Sequence, residues 1–481
     1  MIDLVVVSMP VVEIFSPSPT PGIYYIKAAA EQVGFSSVAK DLNVWIQNQD
    51  IDLQPMINYF MQHNIENMDS SCEAHQQADQ FFRTYIHLYK DTFDNCKRIG
   101  IGLFSVYNIY PGIIFSKIIK ELYPTVEVIV GGNGTEDTGI GSADVGEYFL
   151  NNKLAKYAVY GEGEEAIQYI LQGKDHPSVN SKENKTSLND LNNIAYPNYE
   201  DFFKDFPKYK SCEVSIPIVG SRGCVRKCTF CNVAAIWPTY RFRTGENIAQ
   251  EMISNKEKFG VTSYRFMDSL INGSMKAFRD LCYVMSRYNS NIQDKIVWSG
   301  QFICRSETQM PPDDFVNMKK AGCHSVSIGI ESGSEKVRND IIKGFTEEDM
   351  IYTLDQCAKN DIRIQLMFLV GYPTETDDDH QKSIDLLHKY SYYKHGIDIT
   401  IGKTLRLLDN TPLTDKFSHL YTFDNNKESE WVSTVVPSLT FEKRVSRAKE
   451  LREVSELIGY KLINIHDDEN FFEYKLKKRQ E

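Results

Sequence analysis

Apolar positions in the first part of the chain fall into short runs separated by stretches of helical period. Residues 2–8 form a nearly continuous, valine-rich run, the pattern of a strand buried on both faces. Residues 23–33 have helical spacing and close on Gly34, and 36–42 supply the next strand, which makes a βαβ unit. The alternation resumes with a strand at 98–105, a helix at 112–122 and strands at 126–130 and 155–160. This predicts an α/β fold that opens with a doubly wound, Rossmann-like parallel sheet over residues 1–172, where ligands lie at strand carboxyl ends. The polar, aromatic stretch 43–95 reads as a helical insertion. Gly131, Gly132, Gly134, Gly161 and Gly163 stand just past predicted strands. Tight turns would require them there, and so would close approach of the backbone to a bound cofactor.

Residues 173–208, rich in Asn, Ser and Lys, read as a linker. Strand patterns then return at 213–219, 263–267, 295–303, 325–330, 363–370 and 398–405. Helical stretches lie between them, at 246–259, 275–288, 313–321 and 346–359. Six such units predict a partial (β/α)6 TIM-type barrel over 209–440, with its site at the strand carboxyl ends. The charged amphipathic stretch 442–458 lies in a C-terminal helical segment, 441–481, read as a cap on the barrel.

Composition narrows the function. Of the 481 residues, 42% are apolar and 25% charged, ordinary for a globular protein. The net charge of −12 disfavours a nucleic-acid partner. The one basic run, 475–479, is the pattern of a solvated tail. No apolar run approaches the ~20 residues a membrane span needs. Residues 1–10 carry Asp3 and no basic lead-in, so they read as a strand rather than a signal peptide, and the expected compartment is the cytoplasm. No G-x-S-x-G, Walker loop or H-E-x-x-H is present.

The candidate chemistry is concentrated in SRGCVRKCTFC, residues 221–231, where Cys224, Cys228 and Cys231 follow C-x3-C-x2-C. Thiolates are the ligands of iron–sulfur clusters, and three of them on a four-iron cubane leave one iron open for chemistry. Zinc is the competing metal, yet a structural zinc site usually takes four ligands in two close pairs. The other cysteines show no second cluster spacing.

This spacing, with Phe230 just before the last cysteine, resembles the radical S-adenosylmethionine (SAM) enzymes. The resemblance implies a [4Fe–4S] cluster on Cys224, Cys228 and Cys231 whose open iron binds SAM and whose reduction splits it to a 5′-deoxyadenosyl radical. Gly329–Ser334 (GIESGS) is similar to the family's G-x-E-S-G-S element and Gly371–Thr376 (GYPTET) to its G-x-P-x-E-T. The match points to Glu331 and the neighbouring Ser332 for the ribose, Gly371 and Phe230 for the adenine, and Asp268 for the SAM amino group. Arg305, Arg241 and Arg243 are candidates for the SAM carboxylate or, with Lys227, for tuning the cluster; each could equally be structural.

PGIYYIKAAAEQVGFSSVAKDLN, IVGGN and VYGEGEEAI resemble the cobalamin-binding domain that precedes the barrel in one large radical SAM class. No D-x-H-x-x-G supplies a histidine for cobalt; Asp378 and His380 have D-x-H spacing but lie in the barrel half and lack the glycine. The resemblance implies a cobalamin-dependent C-methyltransferase acting on a small or medium organic substrate, with a reductase, flavodoxin or ferredoxin as electron donor. Cobalamin-independent rearrangement, cyclisation or oxidation, tRNA methylthiolation and a non-catalytic metal-binding module are the alternatives. Methylthiolation fits less well, because only Cys72 and Cys96 precede residue 200.

Overall fold

The valine-rich strand β1 (Leu4–Ser8) is buried at every residue because it is flanked on both sides. Strands β2 (Ser37–Asp41) and β3 (Arg98–Gly102) each pair with it in parallel. With β4 (Glu127–Gly131) and β5 (Tyr157–Val159) they form a five-stranded sheet in the order β2-β1-β3-β4-β5. The order reverses between β1 and β3, the switch point of a doubly wound sheet, as the sequence predicts. The computed structural model describes residues 1–10, 18–47, 72–104, 106–136, 144–207, 209, 214–402, 404–423 and 431–463. The basic run at 475–479 and the whole of the stretch 48–71 lie outside them.

Pro21 starts the helix Pro21–Gln32, where a missing N–H costs nothing. The helix expected at 112–122 runs instead from Val106 to Leu122, with Pro111 inside it. Proline reads as a breaker, yet it removes only one backbone bond here, and Ile109, Ile113 and Ile114 are buried around it. Where described, the insertion is helical, at Leu42–Gln47, Glu73–Leu88 and Lys90–Asp94. The stretch expected as a linker is structured. Ser178 and Ala158 carbonyls accept from Tyr160 and Asn180 at 2.9 and 2.7 Å, and Tyr199 packs against Tyr24 with ring centroids 5.0 Å apart. The chain divides into two units, Met1–Pro217 with Ile253–Ser263 and Ile218–Met252 with Tyr264–Glu481.

The second sheet holds β6 (Ser215–Ile218), β7 (Ser263–Phe266), β8 (Val297–Phe302), β9 (Cys323–Glu331), β10 (Arg363–Phe368), β11 (Ile397–Ile401) and β12 (Lys461–Leu462). Neighbours follow chain order, β6 at one edge and β12 at the other. The ladders from β8 through β12 are parallel. Helices Gly245–Phe259, Met275–Ser290, Pro312–Lys320, Glu347–Lys359 and Asp377–Lys389 connect successive strands, which is the partial TIM-type barrel expected, with one short strand added. Loops at the carboxyl ends of its strands form the rim where such folds place their chemistry.

Candidate active site

The cysteine loop leaves the carboxyl end of β6 and is tied down before its first thiol. Asp268, just past β7, accepts from the Gly220 N–H at 2.8 Å and from the Ser221 hydroxyl at 2.9 Å. Residues Ser221–Arg222 then pair antiparallel with Arg241–Phe242. Gly223 has φ +86°, and a methyl group there would stand 2.9 Å from the Thr239 carbonyl, so only glycine makes this turn.

Thr229 fixes the far side of the loop. Its N–H donates to Ile341 O at 2.9 Å, its carbonyl accepts from Leu413 at 2.7 Å, and its hydroxyl bonds Tyr372 Oη at 2.9 Å. Cys228 is 8% exposed, in an apolar cluster with Val337, Ile341, Tyr372, Leu413 and Trp431; Phe230 and Cys231 pack on its edge. Cys224 and Cys231 are half-buried. Burial pushes the Cys228 thiol up to about 11 and raises that of Cys224; a bound metal would displace those protons. Among the described residues no three His, Cys, Asp or Glu side chains close around one ion position. A cubane takes each thiolate on a different iron, so its ligands need not converge on one point.

Cationic side chains surround this loop. Glu331 ends β9 with φ 65°, in the left-handed region, and its carboxylate pairs with Lys343 Nζ at 2.6 Å, both side chains 12% exposed. Burial opposes the charge on Lys343, but Glu331 and the Cys228 sulfur outweigh it, and its pKa is raised. Gly329 lies beneath the pair, where any side chain would strike the Glu331 carboxylate. The Arg226 guanidinium rests over Gly344 in the same way. Arg305 donates to the Asn272 and Gly273 carbonyls at 2.8 and 3.0 Å. Burial, then Arg226, lowers its pKa. Nε of Arg226 and of Arg305 is buried without a hydrogen-bond partner, so both guanidinia keep donors for an anion.

The remaining candidates fall into two groups. Near the cysteines, Phe230 flanks the loop, while Asp268 is 4% exposed and already accepts two bonds from the loop's base. Burial pushes it up to about 7, the Gly220, Ser221 and Arg243 contacts only partly opposing. Gly371, φ +85°, is packed against the Arg444 side chain and donates to Glu375 at 3.0 Å. Glu375 is itself pushed up to about 7 by burial, against the pull of Arg447.

Engaged elsewhere are Ser332, which is 1% exposed and accepts from Ser334 N at 3.1 Å, and Arg243, which is fully buried, pairs with Glu251 at 2.5 Å and donates to the Val219 carbonyl at the base of the loop at 2.9 Å. Arg241 lies in the antiparallel pair, and Lys227 is exposed. Asp378 and His380 sit in the first turn of helix Asp377–Lys389, where His380 meets Glu450 at 3.1 Å. Lys343 and Arg226 carried no motif signal; only their placement against Glu331 and the thiols reveals them.

In the first unit, Gly131 ends β4, Gly132 has φ +108° and presses on the Leu103 carbonyl, and Gly161 has φ +72°. Gly163 opens helix Gly163–Leu171, where a methyl group would stand 3.0 Å from Ile26. All lie at strand carboxyl ends. Phe104, just past β3, is 69% exposed at the same edge.

Residues 218–387 match the Radical SAM superfamily model. The chain carries a radical SAM domain. Its curated relatives include the uncharacterized methyltransferase PH0819 of Pyrococcus horikoshii, 24% identical over 299 residues, 58% of this chain and 62% of that protein. Bacteriochlorophyllide d C-12(1)-methyltransferase of Chlorobaculum tepidum is 24% identical over 262 residues, 53% of this chain and 54% of that one. The chain thus spans less than two thirds of the length of either.

Among solved structures, the radical SAM methyltransferase TsrM of Kitasatospora setae, described with cobalamin and a [4Fe–4S] cluster bound, has TM-score 0.56 and 18% identity over 86% of this chain and 74% of its own. The cobalamin-dependent SAM radical enzyme OxsB, with aqua-cobalamin and SAM bound, has TM-score 0.65 and 14% identity over 94% of this chain and 66% of its own. At these identities the likeness is one of fold. The sheet followed by the radical SAM domain is the arrangement that the cobalamin-binding class predicted. No helix among the described residues is long and apolar enough to cross a membrane.

Proposed function

We propose that this protein is a cobalamin-dependent radical SAM methyltransferase that transfers a methyl group to carbon on a small or medium organic substrate. The observation that carries the reading is the pinned loop at the rim of the radical SAM domain, with three thiols and the charged groups around them. Cys224, Cys228 and Cys231 would hold a [4Fe–4S] cluster, which when reduced supplies the electron that cleaves SAM to a 5′-deoxyadenosyl radical. Phe230 and the turn at Gly371 would border the adenine, and Glu331 would accept from the ribose hydroxyls, a task suited to a carboxylate with a free oxygen. The unused donors of Arg305 and Arg226 suit a carboxylate.

The donor set fits the cluster, since three thiols from one loop leave a corner open. The first unit fits a corrinoid in a second way: its glycine turns and the exposed Phe104 ring lie together at the carboxyl edge of a doubly wound sheet. Cobalamin would be held there without a D-x-H-x-x-G histidine. A flavodoxin or ferredoxin in the cytoplasm is the proposed electron source.

Anaerobic reconstitution tests the whole reading. The reconstituted protein is expected to be brown, to show a reduced-cluster EPR signal that shifts with SAM, and to form 5′-deoxyadenosine. It should also retain hydroxocobalamin absorbance through gel filtration. Cys228→Ala should abolish 5′-deoxyadenosine formation; its persistence, or a colourless zinc protein, overturns the assignment. A brown, SAM-cleaving protein that retains no corrinoid overturns only the methyl-transfer half.

A further inference from the structure

The Lys343 half of the buried Lys343–Glu331 pair is explained neither by the cluster ligands nor by any motif. The pair costs desolvation of two charges, and a salt bridge so placed is weak evidence of stability for its own sake. Its position is specific. Ile341, two residues before the lysine, accepts the Thr229 N–H at 2.9 Å and packs in the same apolar cluster as Cys228. Gly344, immediately after it, lies under the Arg226 guanidinium. Ile342 and Gly344 have φ 61° and 73°, so the turn that presents Lys343 is bent in the left-handed region on both sides of it. Gly329, one strand residue from Ile330, leaves the space in which the ammonium and the carboxylate meet. Backbone strain, a glycine and two loop anchors all converge on holding one ammonium beside the cysteine loop.

We propose that Lys343 is a positioning residue that sets the reduction potential of the cluster on Cys224, Cys228 and Cys231 and, through its ion pair, fixes the Glu331 carboxylate. The inference rests on the radical SAM reading of this site. A fixed positive charge beside the ligating sulfurs stabilises the more negative, reduced cluster, because a charge in a low-dielectric surrounding is poorly screened. Glu331 partly cancels that charge. One pair therefore predicts two opposite effects: losing the ammonium lowers the potential, and neutralising the carboxylate raises it. Glu331 uses one oxygen on Lys343, which leaves the other for a neutral hydroxyl donor without releasing the lysine.

The test is an EPR-monitored redox titration of the reconstituted full chain without SAM. Lys343→Met is expected to shift the midpoint down, Glu331→Gln to shift it up, and Lys343→Arg to stay near the parent. Unchanged midpoints in both Lys343→Met and Glu331→Gln, or shifts of the same sign, overturn the proposal. If Lys343→Met does not load a cluster, Glu331→Gln carries the test alone, an upward shift supporting and no shift overturning it. Failure of the parent protein to load iron and sulfide is a different result and removes the radical SAM reading itself.

Discussion

Asp268 shows how a residue proposed for the site also holds the base of the loop that carries the cysteines. Both its oxygens face the base of the cysteine loop, and burial holds its pKa near 7, above the ordinary carboxylate value. A carboxyl raised on folding adds stability that is fully present below its unfolded pKa and is lost as pH rises through the folded one. Asp268 therefore makes the protein less stable as pH rises from its ordinary value of 3.8 to about 7, with no further loss above that, and Glu375, raised from 4.5 to about 7, adds to the same trend. Asp268→Asn keeps an acceptor for Gly220 and cannot ionise. Thermal melts across this range should show a smaller decline in Tm for the variant than for the parent, and parallel curves would contradict the account.

Gly371 is a second case: the motif suggests a place for adenine, while the structure adds a positive φ and contact with Arg444. Gly371→Ala should lower stability by about 1–3 kcal/mol through left-handed strain and overpacking, read from urea unfolding. The cysteines were legible because their spacing is itself the signal. Lys343 was not, because a pair separated by a turn leaves no periodicity.

At the scale of elements, strands were read closely because those buried on both faces are written as unbroken apolar runs. Helix Asp377–Lys389 was missed. Its first turn is three aspartates, which look like a polar loop until Thr376 and Asp379 are seen to form a capping box. Asp379 also accepts from the Ser334 hydroxyl at 2.6 Å, so the cap joins this helix to the turn that follows Glu331. Thr376→Ala should cost about 1 kcal/mol, measured by urea denaturation, and Thr376→Ser should recover most of it.

Helix Phe441–Ile458 was found, but for an incomplete reason. Its buried face includes Arg444 and Arg447, the first 3.6 Å above the Trp431 ring and the second paired with buried Glu375 at 2.9 Å. Hydropathy alone cannot place such a helix, since its inward side is partly cationic. Arg447→Met leaves Glu375 buried without its partner, and a loss of about 3–5 kcal/mol is expected. In Arg447→Met with Glu375→Gln that loss should shrink, as a double-mutant cycle would show.

At the scale of the whole molecule, the sequence order of sheet then barrel was legible because each domain repeats a simple strand–helix alternation. The stretch 173–208 was not, because its polar composition hides the few aromatic anchors, Tyr199, Phe202 and Phe206, that are buried in the first unit. The same contrast decides how the molecule should respond to loss of the proposed metal. Small metal-organised domains unfold without their ion, since the ligands supply most of what holds them together. Here the barrel strands carry their own apolar core, including Trp298, Val326, Ile328, Leu366 and Ile399. The cysteine loop is anchored by Asp268, Thr229 and Tyr372 independently of its thiols. Removing iron with a chelator under anaerobic conditions should therefore leave the far-UV circular dichroism nearly unchanged and unfolding still cooperative, with Tm lowered only modestly. Apo protein that loses its secondary structure would mean that the metal organises the fold, as in a structural zinc module, and would count against a site whose open corner is kept for chemistry.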